Sequence, residues 1–191
     1  MKNKKSETLP EDAATNATLR ATWFQRLDIV YQSITENSAL ECATRCSARC
    51  CPKSKALKNI DDAVGHVAIM LPFEMEYIRS KTNINPSQFQ YARIEFTPDT
   101  AINIGFMTSE VPCPFLTANN QCGIYNIRPL DCRSFPLIPV FNPEGTINFR
   151  VDKECPSAMT FSITYQTQLK KVWKELLPSL PMSYRMLYNQ L

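Results

Sequence analysis

Eight of the 191 residues are cysteines, and their grouping is the strongest chemical signal in the chain. Cys42, Cys46, Cys50 and Cys51 crowd into ten residues, while Cys113, Cys122, Cys132 and Cys155 are spread over a later segment. Disulfides, inert buried thiols and metal ligands compete to explain them. Disulfides belong to oxidising compartments and to small secreted domains that cannot build a core. The first sixteen residues, MKNKKSETLPEDAATN, hold no apolar run of the kind a secretory signal needs, and 44% of the chain is apolar, enough for a core. Inert thiols scatter over apolar faces, whereas the first group sits among Arg45, Arg49, Lys53 and Lys55. Metal ligation accounts for more. On a helix, the spacing Cys42, Cys46, Cys50 lines three sulfurs along one face, with Cys51 directed elsewhere before Pro52 ends the turn. Three cysteines precede proline (Cys51, Cys113 and Cys155), where chance would give fewer than one. A following proline biases the cysteine towards an extended backbone, as in the Cys-Pro endings of ferredoxin runs.

Charge points the same way. A four-thiolate zinc or iron–sulfur centre is net negative and costly to bury without compensation. Arg45 and Arg49 in the first group, and Arg128 and Arg133 in the second, are placed to supply it; the alternative for each is a solvated surface group. Sulfur-only coordination suits zinc or an iron–sulfur cluster alike. The absence of paired C-x₂-C knuckles, usual in zinc ribbons, together with the Cys-Pro endings, tilts the reading towards iron–sulfur.

Other chemistries are excluded by scarcity. The four glycines are isolated, so neither a Walker-type nor a Rossmann-type phosphate loop is present. The single histidine, His66, excludes two-histidine metal motifs and is itself a lone acid–base candidate, an extra ligand or an ordinary surface residue. A formal net charge of +3 gives no reason to invoke nucleic acid or an anionic membrane, and no stretch is apolar enough to span a bilayer. The expectation is a cytoplasmic protein.

The string Cys122-Gly-Ile-Tyr-Asn-Ile-Arg-Pro-Leu-Asp-Cys-Arg-Ser-Phe-Pro136 resembles the cysteine-cluster proteins that carry a zinc- or iron-chelating CxxCxxCC domain. Cys113-Pro-Phe-Leu116, Cys155-Pro156 and the pair Cys50-Cys51 fit that pattern too, so the resemblance runs from about Glu41 to Ala158. The chain departs from the family at one place: three residues, not two, separate Cys42, Cys46 and Cys50. The resemblance implies a metal site ligated by Cys50, Cys51, Cys113, Cys122, Cys132 and Cys155, with Cys42 and Cys46 carried over across the wider spacing. It further implies that Arg128 and Arg133 donate hydrogen bonds to sulfur and that Tyr125 and Phe135 exclude water, unless those two aromatics are plain core. The flagellin lysine methylases are a related branch with a similar cluster.

The elements that must position these residues read as α+β: helices at both ends around short β-hairpins and a cysteine-rich, metal-stapled loop region. Residues 1–16 read as a mobile polar tail and 17–191 as one cysteine-cluster domain. Leu19, Trp23, Leu27, Val30 and Ile34 recur at helical spacing from Ala17 to about Glu36. Val67–Leu71 reads as a strand, followed by a helix from Pro72 to about Lys81. Tyr91–Thr97 with Ala101–Met107, and Leu137–Phe141 with Thr146–Val151, read as hairpins. From Glu110 to Pro139 no apolar period is sustained, which predicts loop. Tyr165, Leu169, Val172, Trp173 and Leu176 mark a helix ended by Pro178, and Met182–Tyr188 a last short one.

Three functions follow from this pattern. The first is a metal-binding accessory or interaction module, with a possible protein partner. The second is a methylase-like enzyme acting on protein lysine, against which stands the lack of a Gly-rich loop for S-adenosylmethionine. The third is a thiol redox sensor using cysteines beside Arg45 and Arg49.

Overall fold

Why the chain folds as it does is clearest in its long first helix. In the computed structural model, which describes residues 10–35, 68–83, 89–97, 100–107, 115–153 and 155–189, helix α1 spans Pro10–Ser33. It starts earlier than Ala17, so the second half of the polar tail segment is helical. Proline at the first position suits a helix start, because its missing N–H would be unsatisfied there anyway. Trp23, Leu27, Val30 and Ile34 are buried along one face as their spacing predicts. Leu19, one turn earlier, is 48% exposed, so the apolar stripe outruns the surface that covers it.

Val67, at the start of the expected strand, lies outside the described residues; Ala68–Leu71 is buried, with Ile69 in a β-bridge, and lies outside the two hairpins. It leads into helix α2, Glu74–Lys81, two residues beyond Pro72. Phe73 caps α2 with a left-handed backbone, φ 59°, a conformation that costs a bulky side chain on the order of 1–3 kcal/mol.

Strands β1, Phe89–Thr97, and β2, Thr100–Met107, form the first antiparallel hairpin, in register Tyr91 to Gly105 and Ile94 to Ile102. The segment after it is more ordered than its missing periodicity predicts. It contains a 3₁₀ turn, Tyr125–Ile127, and a one-turn helix α3, Leu130–Ser134. Strands β3, Leu137–Phe141, and β4, Ile147–Val151, then make the second hairpin, whose turn relies on Gly145 at φ 83°. Helix α4, Ile163–Leu176, opens on Ser162, whose hydroxyl accepts from Tyr165 N, and runs into a 3₁₀ turn containing Pro178. Helix α5, Met182–Tyr188, lies against both β2 and β3. The core gathers Trp23 and Leu27 from α1, Ile69 from the stretch before α2, Ile78 from α2, Leu130 from α3, Leu137 from β3, and Leu169 and Trp173 from α4. The fold is thus α+β, helices at both ends and hairpins between. Among the described residues no helix is long and apolar enough to cross a membrane.

Candidate metal centre

Three of the eight cysteines lie within the described residues, each half-buried and each held by a different local device. Cys122 closes a small loop in which it bridges Leu116, with Thr117 N donating to Gln121 O (2.8 Å) and Gly123 N to Phe115 O (2.7 Å). Asn120 makes the turn with φ 56°, a region asparagine tolerates. Cys132 is the middle residue of α3. Cys155 begins the turn after β4, its N–H donating to Asp152 O and its carbonyl accepting from Ala158 N. Among the described residues no three His, Cys, Asp or Glu groups converge as a metal site. Cys42, Cys46, Cys50, Cys51, Cys113 and His66 lie outside the described residues, as does the helix expected over 41–50.

Around Cys132 the chain is bound from every side. Leu130 N donates to Glu74 Oε1 (2.8 Å), and Tyr31 Oη lies 3.0 Å from the Arg128 carbonyl it bonds. Asp131 accepts from Ile69 N at 3.1 Å and from Tyr188 Oη. Tyr165 Oη donates to Arg133 O (2.9 Å), and Trp173 Nε1 to Ser134 Oγ (2.7 Å). The Phe135–Pro136 bond is cis. A segment without apolar periodicity is therefore ordered by polar bonds to α1, α2, α4 and α5, which no hydrophobic pattern could announce.

Arg128 and Arg133 are both 7% exposed, buried rather than solvated. Arg128 lies over the Tyr125 ring, 4.0 Å from its centre. Arg133 donates from Nη2 to Asn126 O (3.0 Å), reaches Tyr31 O (3.5 Å) and sits 5.0 Å over the Tyr31 ring. Tyr125 is thus a platform for a guanidinium, and Phe135 is half-buried beside the same turn. Cys132 is within electrostatic reach of Arg128, Tyr31 and Tyr188. Burial pushes the Arg133 guanidinium down, opposed by the Tyr165 and Tyr31 phenols.

Two acids beside Cys132 were missed by sequence reasoning: Glu74, which is buried, and Asp131, which is half-buried. Glu74 is wholly buried; desolvation raises it to about 7 even though Leu130 N, Leu71 N and Tyr31 Oη all favour its charged form. Burial likewise raises Asp131 to about 6, against the bonds from Tyr188 and Ile69. Asp131 stood inside the Cys122–Pro136 string, but nothing in spacing separates a buried Glu74 from the exposed acids of other helix starts.

Residues 41–156 match a family described as CxxCxxCC, "putative zinc- or iron-chelating domain". The chain belongs to the CxxCxxCC family. The matched stretch covers more than half of the chain and contains all eight cysteines as well as Glu74, Arg128 and Arg133. No curated protein and no solved structure matches the chain. The family match carries zinc or iron chelation and shows nothing in either direction about a relation to the flagellin lysine methylases. The donor chemistry on view fits such a metal: soft thiols, half-buried, with two buried guanidinium groups in the same fifteen-residue string.

Proposed function

We propose that this CxxCxxCC protein holds a thiolate-ligated iron–sulfur cluster, with Cys50, Cys51, Cys113, Cys122, Cys132 and Cys155, joined by Cys42 and Cys46, as the ligand pool. The observation that carries the reading is the burial of Arg128 and Arg133 in the turn around Cys132. Burying two guanidinium groups is costly unless negative charge compensates them, and a metal–thiolate group supplies such charge. When bound, that group supplies a soft, electron-accepting staple; the chain's own residues orient the sulfurs, exclude water and balance the charge.

Sequence position supports a shared centre for both groups of cysteines. Cys42–Cys51 lies in sequence between Tyr31 and Ile69, and both of those residues are tied to the Cys132 turn. Tyr31 bonds Arg128 and Arg133, while Ile69 bonds Asp131. The lack of C-x₂-C knuckles supports iron–sulfur over zinc. An all-thiolate site calls for a reducing compartment, which supports a cytoplasmic setting. The biological role we assign is that of an accessory, metal-dependent interaction module. Met159 and Ile163, 94% and 82% exposed, follow Cys155 closely and offer apolar surface to a protein partner.

Anaerobic purification followed by iron, zinc and acid-labile sulfide analysis and a visible spectrum tests the proposal. Iron with sulfide and broad visible absorption is the expected result. Stoichiometric zinc in a colourless protein would replace the cluster with a zinc site, and metal-free protein with four disulfides would overturn thiolate ligation.

A further inference from the structure

Within that metal-binding reading, the geometry points to Glu74 as a positioning residue that sets Cys132 in place for the metal. Glu74 is the first residue of α2, yet its side chain is buried completely and turned inward rather than to solvent. Its two oxygens collect three donors from three separate stretches of chain. Oε2 accepts from Leu71 N (2.8 Å), and Oε1 from Leu130 N (2.8 Å) and Tyr31 Oη (2.9 Å). Leu130 opens the helix that carries Cys132 two residues later. Tyr31 and Leu71 lie on the chain entering and leaving the first cysteine group. One side chain therefore fixes the Cys132 turn against both flanks of Cys42–Cys51.

Two features argue that this is a built device. The backbone at Phe73, immediately before it, adopts the left-handed conformation at φ 59°, and Glu74 N then closes a turn onto Leu71 O (3.0 Å). A bulky residue is held in an unfavourable conformation at the step that turns Glu74 inward. No cation is bonded to Glu74 among the contacts that hold it; its partners are two backbone N–H groups and a phenol. A leucine or methionine would fill the same core space without desolvating a carboxylate, so the acid is there for what it aligns.

The test titrates cobalt(II) alone into demetallated full-length protein and reads affinity together with the thiolate-to-cobalt absorption per bound ion. Glu74→Ala is compared with Leu176→Ala, a core truncation on α4, where Leu176 is buried. Loss of Glu74 should weaken cobalt binding about 10–100-fold, as losses of groups supporting ligands do, and lower the absorption per ion because one thiolate is misplaced. Leu176→Ala should destabilise the fold comparably and leave both readings near wild type. Tyr31→Phe removes one of the three bonds without opening a cavity; it should shift affinity in the same direction by a smaller factor. It decides the matter if Glu74→Ala fails to fold. Wild-type affinity and absorption in Glu74→Ala, or in Tyr31→Phe where that variant decides, would overturn the positioning role, as would equal losses in Leu176→Ala. Wild-type protein that takes up no cobalt through sulfur would instead bring down the metal-binding reading itself.

Discussion

The hydroxyl of Tyr31 stands 2.9 Å from Glu74 Oε1 and 3.0 Å from the Arg128 carbonyl, one proton facing two acceptors. An ionised Glu74 makes the two compete for that proton. A protonated Glu74 removes the conflict, because the acid can donate while the phenol serves the carbonyl. This arrangement accords with the direction of the shifts: burial drives Glu74 up to about 7, and burial with the neighbouring Glu74 drives the Tyr31 phenol well above its ordinary range.

Stability should therefore fall as the medium becomes less acidic. A carboxyl raised from 4.5 to about 7 on folding stabilises the fold fully below its unfolded value and loses that contribution as pH rises through its folded one. Asp131, raised by burial to about 6, acts in the same sense. Denaturant unfolding of demetallated protein across this window should show wild type losing on the order of 3 kcal/mol relative to Glu74→Gln. Parallel pH profiles for the two proteins would contradict the assignment.

Ser134 gives a prediction about packing. Its hydroxyl accepts from Trp173 Nε1 at 2.7 Å, and both residues are fully buried. Ser134→Ala leaves the indole N–H with no acceptor, so the fold should lose about 1–3 kcal/mol. Thermal unfolding followed by tryptophan emission measures it. A variant as stable as wild type would mean that the indole finds another partner.

Much of the architecture was legible in periodicity. The buried face of α1 from Trp23 to Ile34, the strand pairs of both hairpins, the buried face of α4 and the short helix α5 all follow from residue patterning. The helical character of residues 10–16 was hidden because their composition is polar and the helix begins before its apolar stripe. Around the site, the string from Cys122 to Pro136 announced a motif but not its supports. Tyr31, Glu74, Tyr165, Trp173 and Tyr188 reach it by hydrogen bonds across 30 to 100 residues of chain, and such bonds leave no local pattern.

Metal removal should loosen the site unevenly. From Leu130 to Val151 the chain buries Leu130, Leu137, Phe141 and Ile147 and is bonded to α2, α4 and α5. Phe115–Ile127 buries only Phe115 and Ile124 and is held mostly by turns. Metal-binding energy is folding energy where a site is structural, so chelation should raise amide exchange in Phe115–Ile127 while Leu137–Val151 stays protected. Hydrogen exchange with and without chelator reads both stretches in one experiment. Equal loss of protection in the two would show that the metal holds the whole motif, hydrophobic core included.

Arg128 and Arg133 should separate charge balance from scaffolding. Arg133 spends its donors on Asn126 O and Tyr31 O, so Arg133→Lys keeps a cation but cannot span two carbonyls with a rigid planar fork. That variant should lose stability, and metal affinity should follow the fold down. Arg128 stacks on Tyr125 and lies within reach of the Cys132 charge. Arg128→Lys should retain much of the electrostatic compensation, whereas Arg128→Met, similar in length and apolar, should cost the metal about 10–100 in affinity with little change in the melting temperature of the demetallated protein. The reason for that last asymmetry is that burying a guanidinium is itself costly when no negative centre is present. Metal affinity by chelator competition, set beside thermal melts of loaded and demetallated protein, distinguishes the two arginines. If Arg128→Met binds metal as wild type does, Arg128 is packing for Tyr125, and the charge argument for a metal–thiolate centre at Cys132 loses its main support.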